Sequence, residues 1–216
     1  MGHTELKRDE AIVPILSLND VSAGISLLMR VFGFDRFRPS GAWGTFMSLG
    51  DQKILILPRM GVINAMRPHH LALRVPDVDA AMKTCLMRGG ILARSMTPNG
   101  PLEIPEFWGS GVRYVFFEGP EGALIELCMK KGQAASDVWG HDHIGIQCDD
   151  VSLAQVQLEN AGCQTVANHV LRRDDGETEV VFMARGSSVA EAFGPATVKS
   201  ALDTPYQTGW VGCLYT

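Results

Sequence analysis

Two stretches of the chain repeat one order of apolar and polar positions. From His70 the residues alternate, so His70, Ala72 and Arg74 take one face of a strand and Leu71, Leu73 and Val75 the other. Asp77 then stands where its short carboxylate can accept from the free N–H groups of a helix's first turn, and Gly89-Gly90 end that helix. From His143 the same order returns at a constant offset of 73 residues: His70 with His143, Asp77-Val78 with Asp150-Val151, Ala81 with Ala154, Gly89 with Gly162. A weaker copy lies 57 residues before the first, with Asp20-Val21 for Asp77-Val78 and Gly33 for Gly90, and it puts Val13 where the others carry histidine. A repeat of this length outranks any local motif as a guide to fold.

The repeat predicts an α+β chain of three units, each a strand, a capped helix, a glycine stop and further strands. The first spans residues 11–58, with strands at 11–18, 34–38, 44–49 and 52–57 and a helix from Val21 to Val31. The second spans 69–131, with later strands near 92–95, 112–117 and 123–129. The third spans 141–193, with later strands near 165–172, 179–183 and 189–193. Linkers fall at 59–68 and 132–140. The loop 97–111, with Pro98, Pro101, Pro105 and Trp108, reads as irregular and as covering something. The tail 194–216 carries no pattern that assigns it.

Composition narrows the class. Apolar residues make up 46% and charged residues 20% of the 216, as in an ordinary globular protein. A net charge of −5 without a basic cluster argues against nucleic acid as a partner. No apolar run reaches the length of a membrane span, and the polar start is unlike a signal peptide. Five cysteines, an odd number without a Cys-x-x-Cys pair, read as reduced, mostly buried thiols of a cytoplasmic protein.

The opening His70-Leu71-Ala72-Leu73-Arg74-Val75 with Asp77-Val78, and the closing Gly119-Pro120-Glu121-Gly122-Ala123-Leu124-Ile125-Glu126-Leu127, resemble the vicinal oxygen chelate superfamily of glyoxalase I, bleomycin- and fosfomycin-resistance proteins and extradiol dioxygenases. The resemblance covers residues 11–193. It implies βαβββ modules that pair into cup-shaped, partly open barrels, and the third module is a departure, because modules normally come in even numbers. It also implies that a module's first strand supplies a metal-binding histidine and its last strand a glutamate. Those are His70 and Glu126 in the second module and His143 and Glu191 in the third, with Glu126 or Glu191 also able to act as the base. Such a donor set suits Fe, Mn, Ni or Zn, leaving positions for a chelating substrate.

Each residue also has a plainer role. A lone histidine at a strand start is usually structural, and only the matched places of His70 and His143 lift them above that. His69, His141 and His169 have no matched partner and read as surface or loop residues. Glu126, on an otherwise apolar strand, needs a partner inside, either a metal or Arg74. Glu191 follows its glycine by one residue more than Glu126 does, which leaves its facing open. Arg74 and Gln147 share the face of their histidines, and Trp108 stands in the covering loop, so these three are substrate candidates or barrel filling.

Two classes of function follow. One is a metal-dependent lyase or isomerase of glyoxalase type, or a dioxygenase. The dioxygenase variant is weakened because Phe116 and Gly119 stand where extradiol enzymes carry tyrosine and an acidic residue. The other is a metal-free protein of bleomycin-resistance type that binds a small molecule. The former follows if modules two and three pair, the latter if modules one and two do. An odd module predicts a homodimer in which one module pairs with its copy.

Overall fold

The computed structural model describes residues 11–37, 44–59, 68–133, 137–174, 176–195 and 209–215. The first module holds β1 (Ile12–Leu18), α1 (Val21–Leu27) running on as a π-helical turn (Leu28–Phe32), β2 (Asp35–Phe37), β3 (Thr45–Leu49) and β4 (Gln52–Pro58). The second holds β5 (His70–Arg74), α2 (Val78–Met87), β6 (Ile91–Leu92), β7 (Leu102–Ile104), β8 (Val112–Glu118) and β9 (Leu124–Lys130). The third holds β10 (Gly140–Gln147), α3 (Val151–Asn160), β11 (Gln164–Arg173), β12 (Gly176–Arg185) and β13 (Ser188–Pro195). A last strand, β14 (Trp210–Tyr215), comes from the tail that carried no sequence pattern. The loop 97–111 is less irregular than its prolines suggest, since it contains β7. Most of the linker 59–68 lies outside the described residues.

The helices start and stop as their sequences dictate. The Asp20, Asp77 and Asp150 side chains accept from the N–H groups of Ala23, Ala80 and Leu153 at 2.8, 3.0 and 2.9 Å. Gly33, Gly89 and Gly162 end the helical segments with φ of 82°, 81° and 85°, a backbone that glycine alone adopts without a Cβ penalty.

The strands form two sheets. In each module the first strand lies parallel to the last: β1 to β4, β5 to β9, β10 to β13. Modules two and three then join through their first strands. β5 pairs antiparallel with β10 in the register His70↔Gly145, Leu71↔Ile144, Ala72↔His143, giving the order β11-β12-β13-β10-β5-β9-β8-β6, with β7 on β8. Leu71 and Ile144 are themselves equivalent in the repeat, so a local two-fold axis passes between them and sets His70 and His143 beside it.

The first module forms a separate sheet, β14-β1-β4-β3-β2. β14 occupies the edge of β1 that corresponds to the β5–β10 junction, from Ile12↔Tyr215 to Leu16↔Trp210. That pairing gives the β1 edge a partner within the chain. One continuous apolar core takes the helical face of both sheets, with Leu28, Leu71, Leu158 and Trp210 among its buried members. The other face of the first sheet carries a smaller cluster around Val13, Ile15, Leu55 and Leu57.

Polar contacts tie the first module to the cup. Asp51 accepts from the His141 N–H at 2.7 Å and from Arg74 at 3.3 Å, and Glu121 accepts from the Asn19 and Asp20 N–H groups at 2.7 and 2.9 Å. Among the described residues no helix is long and apolar enough to cross a membrane. All five cysteines are free, four of them buried.

Candidate metal centre

Strand alternation decides which side chains enter the cup. Leu71, Leu73, Ile125, Leu127, Ile144, Ala190 and Ala192 are fully buried against the helices, so their neighbours His70, Glu126, His143 and Glu191 point the other way. The two glutamates hold one ladder position: Glu126 lies opposite Ala72, two residues after His70, and Glu191 opposite Gly145, two residues after His143. The extra residue before Glu191 is therefore absorbed in the turn ahead of β13, and its register matches that of Glu126. In the first module the same positions hold Val13 and Leu55, the latter opposite Ile15.

The four side chains meet. His70 Nε2 and His143 Nε2 are 3.0 Å apart. Glu191 Oε2 lies 3.1 Å from His143 Nε2 and 3.6 Å from His70 Nε2. Glu126 Oε2 lies 3.3 Å from His70 Nε2 and 4.0 Å from His143 Nε2. All four residues are buried. Donors bound to one ion at roughly 2.0–2.2 Å stand about 3–4 Å from each other, which is the spacing seen.

The positions just before the two histidines supply their outer partners. Asp142 Oδ1 is 2.8 Å from His143 Nδ1, and His69 Nδ1 is 2.9 Å from His70 Nδ1. Asp142 is the extra residue of a β-bulge, since Leu73 pairs with His141 and Ala72 with His143. With Nδ1 bonded to Asp142, His143 presents Nε2 to two carboxylate oxygens and an imidazole nitrogen. Lone pairs then converge on one point that only a proton or a cation can hold. Burial opposes charge on His143, but Glu191, Asp142 and Glu126 outweigh it and raise its pKa well above the ordinary value. Burial, with His143 and His69 adding, drives His70 well below its own. Burial, opposed by His143 and reinforced by Glu191, pushes Glu126 up to about 8. Burial also works against Asp142, yet the bond and charge of His143, with Lys130 at 3.9 Å, hold it at about 2. Two imidazoles and at least one carboxylate with donor atoms within 4.8 Å of one another, His70, His143 and Glu191, form a group that could hold a metal ion.

A cavity of about 220 Å³ opens from this floor, and Trp108 and Gln147 line it with the four donors. Arg74 does not. Its guanidinium donates to the His141 carbonyl at 2.8 Å and pairs with Asp51, so it joins modules instead of touching substrate or neutralising Glu126. His69 and His141 are corrections too, because both are buried. His141 meets Gln52 Oε1 through Nδ1 at 2.5 Å and accepts from the Val189 N–H at 2.8 Å. His169 is half-buried and packs on Phe107, with ring centroids 4.9 Å apart. The covering loop is fastened across the cup by Arg173, which reaches Glu106 at 2.7 and 3.1 Å. His69 and Asp142 escaped the sequence reading, although they are themselves 73 residues apart.

Gly145 is required by the register. A Cβ there would overlap the His70 ring. Gly145→Ala is therefore expected to fold but to displace His70 and lower metal affinity at least tenfold, as measured by calorimetric titration. Unchanged affinity would show that His70 does not need its observed position.

No protein-family model matches the sequence, and no curated protein matches it. Solved structures do. A glyoxalase I variant from Zea mays superposes with a TM-score of 0.64 at 14% identity, covering 88% of this chain and 71% of that one. A second variant of that enzyme gives 0.64 and 14% over 96% and 73%. A variant of 4-hydroxymandelate synthase from Streptomyces coelicolor gives 0.51 and 12% over 87% and 70%. The chain has the fold of the vicinal oxygen chelate superfamily, and at these identities the likeness is one of fold.

Proposed function

We propose that the chain is a divalent-metal-dependent lyase or isomerase of glyoxalase type, acting on a small molecule that offers two neighbouring oxygens. The observation that supports this most is the meeting of two imidazoles and two carboxylates, drawn from two modules, at the floor of one cavity. His70, His143, Glu126 and Glu191 would hold the ion. A divalent metal bound there would supply Lewis acidity to the substrate oxygens. The chain's own residues do the rest. Glu126 and Glu191 each bring Oε2 to the histidine pair, where either oxygen can take a proton from a carbon beside the chelating oxygens and return it to a neighbour. Asp142 fixes the His143 ring with Nε2 inward. Phe107, Trp108, Phe182 and Phe193 line the cavity and exclude water.

One observation favours an oxygenase instead. The group His70, His143 and Glu191 is two imidazoles and one carboxylate, the set used by Fe(II) oxygenases. Glu126 separates the two readings, because as a fourth donor it closes one of the positions an oxygenase keeps open. The experiment is elemental analysis of tag-free protein, followed by metal titration of the wild type and Glu126→Ala. We expect about one ion per chain in the wild type and roughly a hundredfold weaker binding in the variant, since loss of a ligand exceeds the cost of losing an outer partner. Unchanged Fe(II) affinity in Glu126→Ala would favour the oxygenase. A wild type that takes up no Mn, Fe, Ni or Zn would leave a metal-free small-molecule binding protein.

A further inference from the structure

We infer that the ligand of this cavity is an uncharged aromatic molecule with its two oxygens on adjacent carbons. The inference rests on the metal-centre reading and names the substrate class for it. Size is the first argument. A cavity of about 150 Å³ accepts a benzene ring, so the cavity of about 220 Å³ holds one ring and a short oxygenated arm. A peptide or nucleotide conjugate would not fit inside it.

Shape is the second argument. Phe116 lies directly across the ladder from Glu126, and Phe182 directly across from Glu191, so the local two-fold axis repeats a phenylalanine beside each carboxylate. Their rings meet those of His70 and His143 edge-on, with centroids 5.1 and 5.9 Å apart. Trp108 and Phe107 extend the Phe182 wall at 4.9 and 5.3 Å. A flat ring held by its oxygens at the histidines would find aromatic rings beside both carboxylates, and aromatic pairs attract at centroid separations of roughly 4.5–7 Å.

Charge is the third argument. The lining contains the carboxylates of Glu126, Glu191 and Asp142 and, among the described residues, neither lysine nor arginine. The cations beside the covering loop are engaged elsewhere: Arg113 and Lys131 both hold Glu103, and Arg94 donates to the Pro98 carbonyl. Lys130 Nζ lies 4.3 Å from the centre of the Trp108 ring and 3.9 Å from Asp142, while Arg173 holds Glu106. Glu126 and Glu191 between them balance a divalent ion, so a further anionic group on the ligand would be buried against Asp142 without a partner.

The test uses three small dicarbonyls: acetylbenzoyl (aromatic and uncharged), its ring-carboxylated analogue 4-(2-oxopropanoyl)benzoate (aromatic, with a further anionic group) and diacetyl (uncharged, without a ring). Each is titrated by calorimetry into Mn-loaded and chelator-stripped protein, with metal content measured in parallel. We expect acetylbenzoyl to bind about tenfold more tightly than either of the others, and this margin to shrink several-fold in Phe182→Leu and Trp108→Leu, which keep apolar bulk but lose the ring. Equal or tighter binding of 4-(2-oxopropanoyl)benzoate or diacetyl, or no binding of acetylbenzoyl, overturns the ligand class while a stoichiometric metal count leaves the metal centre standing. The same preference in protein that takes up no metal supports the ligand class and removes the metal centre.

Discussion

His143→Ala is expected to leave the protein folded and to abolish retention of a divalent ion at the proposed centre. This is the largest effect expected of any single change at the site, and the reason lies in how the ring is held. His143 Nε2 is the donor closest to both His70 and Glu191, at 3.0 and 3.1 Å, and its Nδ1 is bonded to a buried carboxylate. A carboxylate behind an imidazole fixes its tautomer and raises its basicity. Among the described residues the His70 Nδ1 meets the His69 ring and no carboxylate, so His70 is the weaker of the two anchors. The expected order of affinity loss is His143→Ala above roughly a hundredfold, Asp142→Asn about ten- to a hundredfold, and His69→Gln less than Asp142→Asn. Metal titration with circular dichroism on each variant reads the order. His143→Ala binding as tightly as wild type would end the metal-centre reading. An effect of His69→Gln larger than that of Asp142→Asn would reverse the ranking of the two anchors.

The second large effect is on stability, far from the site. Trp210 of β14 is fully buried, and its indole N–H donates to the Leu124 carbonyl of the second module at 3.3 Å. Trp210→Ala removes the largest side chain of the shared core and should cost about 3–5 kcal/mol. Calorimetry should show a fall of roughly 10 °C in Tm for a chain of this size. Metal stoichiometry at low temperature should not change, because the donors belong to the other sheet. A loss below about 1 kcal/mol would show that β14 is not docked as described, since burial of such a side chain cannot be that cheap to undo.

The three modules were legible because each needs a cap, a glycine stop and a period-two strand, and those signals are local. His70, His143 and Glu126 were legible as inward residues for the same reason. The facing of Glu191 was not, because a one-residue turn insertion and a one-residue register slip look alike in sequence. Asp142 was hidden by the bulge: strict alternation sends it away from the side that His143 takes, and a bulge is invisible until the two strands are paired. His69 precedes the first residue of β5, so alternation said nothing about it. Arg74 shares a strand face with His70, but its partner Asp51 sits in a turn of another module, and no spacing rule reaches that far. β14 is the extreme case, a short run whose meaning depends wholly on β1, about 200 residues before it.

The pairing of β1 with β14 also imposes an order on folding. Residues 12–16 are hydrogen-bonded to residues 210–215, so the first sheet cannot be completed until about 200 residues after β1 have been made. Its loop-closure cost is among the highest the chain offers, and such long-range contacts form late. The cup of modules two and three contains its own strand partners and can close earlier, during synthesis, while the first module waits with one edge of β1 unpaired. An arrest of synthesis between residues 195 and 210 would therefore release a chain with a finished cup of modules two and three and an open, apolar strand, the species most prone to associate with its own copies.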